Sequence, residues 1–169
     1  MASPAADFEA RLAALWASLD ELHEDEFVAR IDALVSELPA GNAIASFERA
    51  AAQDSTGHPD LAVPLYREAL SAGLEGIRRR RAVIQLASSL RNLGSAEESV
   101  ALLRAERERA ADELDDAVTA FLALALADTG REREGASLAL EALAPHLPRY
   151  QRSLGNYARL LRQPPADRP

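Results

Sequence analysis

The sequence predicts an all-α fold built from successive pairs of helices. Hydrophobic residues make up 48% of the 169-residue chain and aromatic residues only 5%, so the core must consist mainly of alanine and leucine, which favours close helix packing over a sheet. Gly57, Gly94 and Gly130 each begin the same short phrase, with a small residue five positions later and a larger one four beyond it. Their spacing of 37 and 36 residues is typical of a repeat of two amphipathic helices that must stack on its neighbours. The sequence therefore predicts a helical-repeat solenoid of about nine helices.

Two helices precede the repeats that carry these glycines. Apolar residues recur in alternating steps of four and three within residues 5–22, which predicts one stripe of a helix, with Trp16 beside that stripe. The same spacing predicts a second helix that ends at Leu38, before the turn at residues 39–42. The pair over residues 5–38 lacks the repeat glycine, so we expect it to be a degenerate repeat or an N-terminal cap.

Three repeats and a final helix follow. Each repeat is predicted as a first helix, a turn at its glycine and a second helix, and Gly94 stands where a residue in the left-handed conformation ends a helix. We expect the repeats at residues 43–73, 77–111 and 114–143, and a C-terminal capping helix at residues 148–162. No linker-like stretch separates these segments, so we expect one domain over residues 1–163 and a disordered tail over residues 164–169.

Matching positions of the three repeats resemble the tetratricopeptide repeat consensus. That consensus has small residues at positions eight and twenty, glycine at fifteen, a large residue at twenty-four and alanine at twenty-seven. The first repeat matches it with Ala50, Gly57, Ala62, Tyr66 and Ala69, and the third with Ala123, Gly130, Gly135, Ala139 and Ala142. In the second repeat, Glu106 takes the last small position. The layout also resembles a group of small bacterial tetratricopeptide proteins, and it implies a right-handed superhelix of helical hairpins.

The same resemblance implies which side chains line the concave wall of such a superhelix. They are the residues at positions two, five, nine, twelve and thirteen of each first helix, and they combine apolar side chains with arginine, asparagine and aspartate. The residues that we expect to contact a partner are Phe47, Asp54, Arg81, Ile84, Ser88, Arg91, Asn92, Leu124, Asp128, Arg152 and Asn156. Guanidinium groups and amides on a preformed wall suit the carboxylates and main chain of a peptide. The alternative is that Arg91 pairs with Asp54 and that the other arginines are solvated.

The charge of the chain argues against binding to nucleic acids or anionic membranes. The sequence has 19 lysine and arginine residues against 27 acidic ones, for a net charge of −8. The four arginines at residues 78–81 fan out around a helix and have no aromatic residues between them, so we expect a solvated, salt-bridged patch.

We also predict no enzyme activity, metal site or cofactor. The chain has no cysteine and none of the sequence patterns HExxH, GxSxG or a glycine-rich phosphate loop. His23, His58 and His146 are isolated from one another, and we expect residues 24–26 beside His23 to cap the second helix rather than to bind a cation.

The sequence thus predicts a non-catalytic scaffold that binds a protein or peptide along the concave face. Two alternatives stay open. One is self-association as a homodimer through the leucine and tryptophan stripe of the first two helices, and the other is a regulatory module that senses a small ligand. Acidic residues and an arginine interrupt the opening segment, so we expect neither a secretory signal nor a membrane span there. We therefore expect the protein to be cytoplasmic.

Overall fold

The computed structural model describes residues 3–109 and 111–163, and within these ranges it contains nine α-helices and no strand. The helices are α1 (Pro4–Ala17), α2 (Glu24–Val35), α3 (Ala43–Ser55), α4 (Pro59–Ser71), α5 (Gly76–Asn92), α6 (Ala96–Arg107), α7 (Asp115–Asp128), α8 (Glu132–Leu143) and α9 (Gln151–Leu160). Short 3₁₀ helices lie at Leu19–Glu21 and Ala144–His146. The predicted all-α fold is confirmed. The tail predicted over residues 164–169 lies outside the described residues.

Backbone contacts divide the chain into two compact units, Met1–Ala82 and Val83–Pro169, and the boundary falls inside α5. The single domain over residues 1–163 stays a prediction.

Apolar side chains of α1, α2 and α3 form one core cluster of the first unit. The cluster consists of Phe8, Leu12, Phe27, Ile31, Val35, Ala45 and Ala52. The half-buried Trp16 meets Phe27 edge to face, with 5.1 Å between ring centroids. The apolar stripe that the sequence shows in the first two helices is therefore used within the unit.

The first helix is shorter than the predicted residues 5–22. Its last residue is Ala17, and a 3₁₀ turn follows. The Ser18 hydroxyl donates to the Leu15 carbonyl over 2.7 Å, and such a local bond between a serine and the backbone competes with continuation of the helix.

In the second unit, α6, α7 and α8 pack in sequence, and α9 packs on α8. Ile84, Ala87, Val100, Leu103, Val118, Leu122, Ala125, Leu126 and Leu138 form the core. The predicted final helix begins at Gln151 instead of residue 148, because Tyr150 has a left-handed φ of 69° that a continuous α-helix does not allow.

The three repeat glycines end the first helices of their repeats in the same way. Gly57, Gly94 and Gly130 have φ values of 80°, 84° and 74°. In each case the next residue donates its N–H to the carbonyl five positions back: His58 to Gln53 (2.9 Å), Ser95 to Leu90 (2.8 Å) and Arg131 to Leu126 (2.9 Å). This is the Schellman motif, and it confirms the left-handed cap predicted at Gly94.

Candidate partner-binding surfaces

In the first unit, the predicted site residues Phe47 and Arg81 form a stacked pair. Phe47 lies on α3 and is completely buried, with 0% of its surface exposed. The guanidinium of the exposed Arg81 lies 5.4 Å from the centroid of the Phe47 ring, within the range of a cation–π interaction. Phe47 therefore supports Arg81 from below and offers no surface of its own to a partner.

Asp54, the third predicted residue in this unit, lies near the end of α3. Its Oδ2 accepts a hydrogen bond of 3.3 Å from the hydroxyl of Tyr66 on α4. Burial, together with the nearby Asp54 carboxylate, raises the pKa of Tyr66 above its ordinary value. The Tyr66 hydroxyl thus keeps its proton and stays a donor to Asp54.

From the sequence, Tyr66 was predicted only as the large consensus residue of its repeat. The structure adds an orienting role, because the same side chain contacts the ring of Phe47, with 6.2 Å between centroids, and bonds Asp54. The only sequence signal for this role is that the position holds tyrosine, whose hydroxyl needs a partner when buried.

In the second unit, Arg91 of α5 and Asp128 of α7 form an ion pair. Arg91 Nε lies 2.5 Å from Asp128 Oδ2, and both side chains are partly exposed. Leu124 lies one helical turn before Asp128 and is 47% exposed. Ser88, three residues before Arg91, is half-buried, and Asn92 is exposed at the end of α5. The pair between Arg91 and Asp54 stays a prediction.

Ile84 is also placed in the core rather than on a surface. It is 6% exposed and packs in the cluster of the second unit. Like Phe47, it cannot contact a partner in this conformation. Apolar periodicity marks both residues as inward-facing, but it does not tell whether the side chain ends in a groove or in the core.

Arg152 and Asn156, the last two predicted residues, lie one turn apart on α9 and are exposed. The Asn156 side-chain oxygen accepts a hydrogen bond of 2.5 Å from Arg159. Arg152 has no hydrogen-bond or ion-pair partner among the described residues. It is therefore available to an acidic group.

The arginines at residues 78–81 do not form the solvated patch that the sequence predicts. Arg80 is 4% exposed. Arg78 donates to both carboxylate oxygens of Glu9 over 2.6 and 3.1 Å, and to the carboxylate of Glu48 over 3.1 Å. The bonds to Glu9, and to a smaller extent the bond to Glu48, raise the pKa of Arg78 above its usual value. The predicted salt bridges are present at Arg78. The prediction that the arginines are solvated is wrong for Arg80, which is buried.

Glu48 is 2% exposed and was not among the predicted site residues. Its carboxylate accepts one bond from the Trp16 indole over 2.8 Å and another from Arg78. Three helices are thereby joined through one buried charge. A glutamate among the alanines of α3 is a weak signal, because its two partners lie about 30 positions away in sequence, 32 for Trp16 and 30 for Arg78.

The acidic turn at residues 24–26 forms the first turn of α2, where negative charge interacts favourably with the helix dipole. His23 precedes it as the N-cap residue but makes no capping bond with its side chain. In the described part of the chain, no group of three or more histidine, aspartate or glutamate side chains could hold a metal ion. None of the described helices is both long and apolar enough to cross a bilayer.

The repeat region of the chain matches a family model. The model described as "Tetratrico peptide repeat" matches residues 43–161, which cover the three repeats and α9. No curated protein and no solved structure matches the chain. The match spans well over half of the sequence and includes all three glycine-capped helix pairs. The chain therefore belongs to the tetratricopeptide repeat family.

Proposed function

We propose that this protein is a non-catalytic scaffold that binds a protein or peptide partner through the first helices of its repeats. Tetratricopeptide repeats are, in general, protein-interaction modules. The observation that carries the proposal is the partly exposed ion pair of Arg91 and Asp128 beside the exposed Leu124. An exposed apolar side chain and two charged groups of opposite sign thus occur together on the second unit.

These three side chains suit a peptide segment. Asp128 holds the Arg91 guanidinium in place. Less side-chain freedom of Arg91 is therefore lost when a carboxylate or carbonyl of the partner accepts a hydrogen bond from that guanidinium. Leu124 offers apolar contact area to a side chain of the same partner.

The packing of α1 favours this function over self-association through the first two helices. Phe8 and Leu12 are buried in the core of the first unit. Leu15 and Trp16 are half-buried, and the indole N–H of Trp16 is bonded to Glu48. Little of the apolar stripe is left for a second copy. The small-ligand alternative stays a prediction, as does a cytoplasmic location in a bacterium.

The proposal is tested with two matched double variants of the tagged full-length chain. Arg91→Ala with Asn92→Ala removes the guanidinium and the amide at the end of α5. Arg107→Ala with Arg109→Ala removes two exposed arginines whose side chains have no partner among the described residues. Proteins that copurify with wild type and with each variant are quantified by mass spectrometry.

We expect the Arg91/Asn92 variant to lose at least about tenfold of a specific partner that wild type and the control retain. Hydrogen bonds to charged groups contribute about 1.5–3 kcal/mol, which corresponds to roughly a tenfold or greater change in affinity. Equal recovery of all copurifying proteins by the three chains would contradict binding through this surface.

A further inference from the structure

The surface around α9 exposes two aromatic rings. Tyr150 is 76% exposed and Tyr157 is 68% exposed, and neither hydroxyl has a partner among the described residues. They are seven positions apart, which corresponds to about 10 Å along the helix axis. The start of α9 is fixed by Gln151, whose amide donates to the Pro145 and Leu147 carbonyls over 3.0 and 2.8 Å. The tyrosines are therefore presented on a preformed element.

This surface is also cationic. Residues 142–163 contain four arginines and no acidic residue. Two of these arginines, Arg149 and Arg152, are exposed and have no ion-pair partner in the described ranges. Tyr150 and Tyr157, seven positions apart, share one side of the helix, and Arg149 and Arg152, three positions apart, lie beside its start. These four residues are together called the α9 surface below. A binding site that matches it must supply carboxylates next to apolar area.

The first unit contains a cavity with that chemistry. It measures about 500 Å³ and lies among α2, α3 and α4. Val28, Ala52, Leu61 and Leu65 form its apolar lining, and Leu61 is 48% exposed. We call it the α2–α4 cavity.

Unpaired carboxylates stand along one wall of the α2–α4 cavity. Glu24 and Asp25 line it from the first turn of α2. Both are exposed, and neither has a hydrogen-bond or ion-pair partner among the described residues. Asp32, further along the same wall, is already bonded to Arg49 over 2.6 Å. The free negative charge is therefore concentrated at Glu24 and Asp25.

We propose that the α9 surface of one copy of this chain docks into the α2–α4 cavity of a second copy. The tyrosine rings cover the apolar lining with their hydroxyls toward water, as amphipathic aromatic side chains do at interfaces. Arg149 and Arg152 pair with Glu24 and Asp25, which have no other partner. A second copy is the occupant because the two charge patterns complement each other within one sequence: residues 4–37 hold nine acidic residues and two arginines.

This association is head to tail, because the two surfaces that meet are different. Every copy presents both surfaces, so the assembly grows with protein concentration. The unpaired charges are exposed, so salt weakens the contact as the Debye length falls from about 10 Å at 0.1 M to about 3 Å at 1 M.

The test uses sedimentation velocity on the full-length chain over a range of concentrations, at low and high salt. Two variants reverse the charge of one surface each: Glu24→Lys with Asp25→Lys, and Arg149→Glu with Arg152→Glu. Wild type is expected to associate at low salt and to dissociate at high salt. Each reversed variant alone is expected to stay monomeric, and an equimolar mixture of the two is expected to associate, since each mutated surface then finds an oppositely charged one.

A second pair of variants tests the aromatic contribution with little effect on folding. Tyr157→Ser is expected to weaken association by about tenfold, the effect of roughly 1.4 kcal/mol. Leu93→Ser, which removes another exposed apolar side chain, is expected to leave it unchanged. Three results would overturn the proposal: wild type that stays monomeric at its highest soluble concentration, association of the Glu24/Asp25 variant by itself, or no association in the mixture of the two reversed variants.

Discussion

At the scale of single residues, the glycines of this chain have two different tasks. Gly57, Gly94 and Gly130 supply the left-handed conformation that ends a helix. Gly135 lies inside α8, where its dihedral angles are ordinary, and serves a contact between helices. A Cβ atom at Gly135 would lie 2.6 Å from the carbonyl oxygen of Ala123 on α7. Only a residue without a side chain allows this approach.

Gly135→Ala is therefore expected to destabilise the protein, by about 1–3 kcal/mol, because the added methyl group must displace the backbone of α7. The expected sign is informative, since glycine to alanine inside a helix otherwise stabilises by about 0.5–1 kcal/mol. Urea unfolding followed by circular dichroism measures the change. Ala136→Ser, at the exposed neighbouring position, is the control. A Gly135→Ala protein as stable as wild type would show that α7 and α8 are less closely packed.

The left-handed helix caps are well predicted from the sequence, because glycine recurs at the same position of each repeat, directly after an amphipathic helix. It does not predict that Phe47 and Ile84 are fully covered. Helical periodicity tells which side of α3 and α5 these residues occupy, whereas burial depends on neighbours from elsewhere in the fold. Arg81 lies over the ring of Phe47, and Ile84 packs in the core cluster of the second unit. The same limit applies to Tyr66 and its bond to Asp54.

At the scale of elements, a buried ionic contact holds α1 on the first repeat. Glu48 of α3 accepts from Trp16 of α1 and from Arg78 of α5, and Arg78 also bonds Glu9 of α1. An exposed ion pair links Arg11 of α1 to Glu37, which follows α2, at 2.5 Å. The two links differ in burial, which allows their contributions to be separated.

Glu48→Ala is expected to cost about 3 kcal/mol, because it leaves the Trp16 indole without its partner and leaves Arg78 with Glu9 alone. It is also expected to change the fluorescence of Trp16, the only tryptophan of the chain. Glu37→Ala breaks the exposed pair and is expected to cost much less than Glu48→Ala, because solvent screens an exposed ion pair. Urea unfolding monitored by tryptophan emission gives both values, and equal costs for the two variants would contradict the central place of Glu48.

The sequence predicts the repeat helices better than the helices at the two ends. Glycine turns and apolar spacing define α3 to α8 within a few residues. The end of α1 depends on a serine hydroxyl that bonds the backbone, and the start of α9 on one left-handed tyrosine. Neither feature changes the apolar pattern from which the longer helices were predicted.

At the scale of the whole molecule, the energetics follow from the repeat architecture. Each repeat of such a protein is stabilised by its own packing and by its nearest neighbours. Two compact units, each with its own core, agree with that principle. A local defect in one unit should then leave the other largely intact.

Hydrogen exchange of the Gly135→Ala variant tests this independence. Amides of α7 and α8 are expected to exchange faster than in wild type, because local opening there becomes easier. Amides of α2 and α3, in the first unit, are expected to keep their protection. A uniform acceleration across all helices would instead indicate a single cooperative structure.

Family membership and the all-α fold were predictable from the sequence, because the repeats impose a long-range periodicity. The exposure of the proposed partner-binding residues was only partly predictable. Arg91, Leu124 and Asp128 are accessible, as expected, but the salt bridge between the two charged residues depends on how α5 and α7 approach one another. No pattern within a single helix encodes that approach.

The central claim is that the first helices of the repeats bind a partner protein, and site-specific photo-crosslinking in cells tests it most directly. A photoreactive phenylalanine analogue replaces Leu124 on α7 or, as a control, Leu143 on α8; both leucines are 47% exposed. We predict crosslinks to another protein from position 124 and only background or self-crosslinks from position 143. The same foreign protein captured equally from both positions, or none from position 124, would contradict the claim.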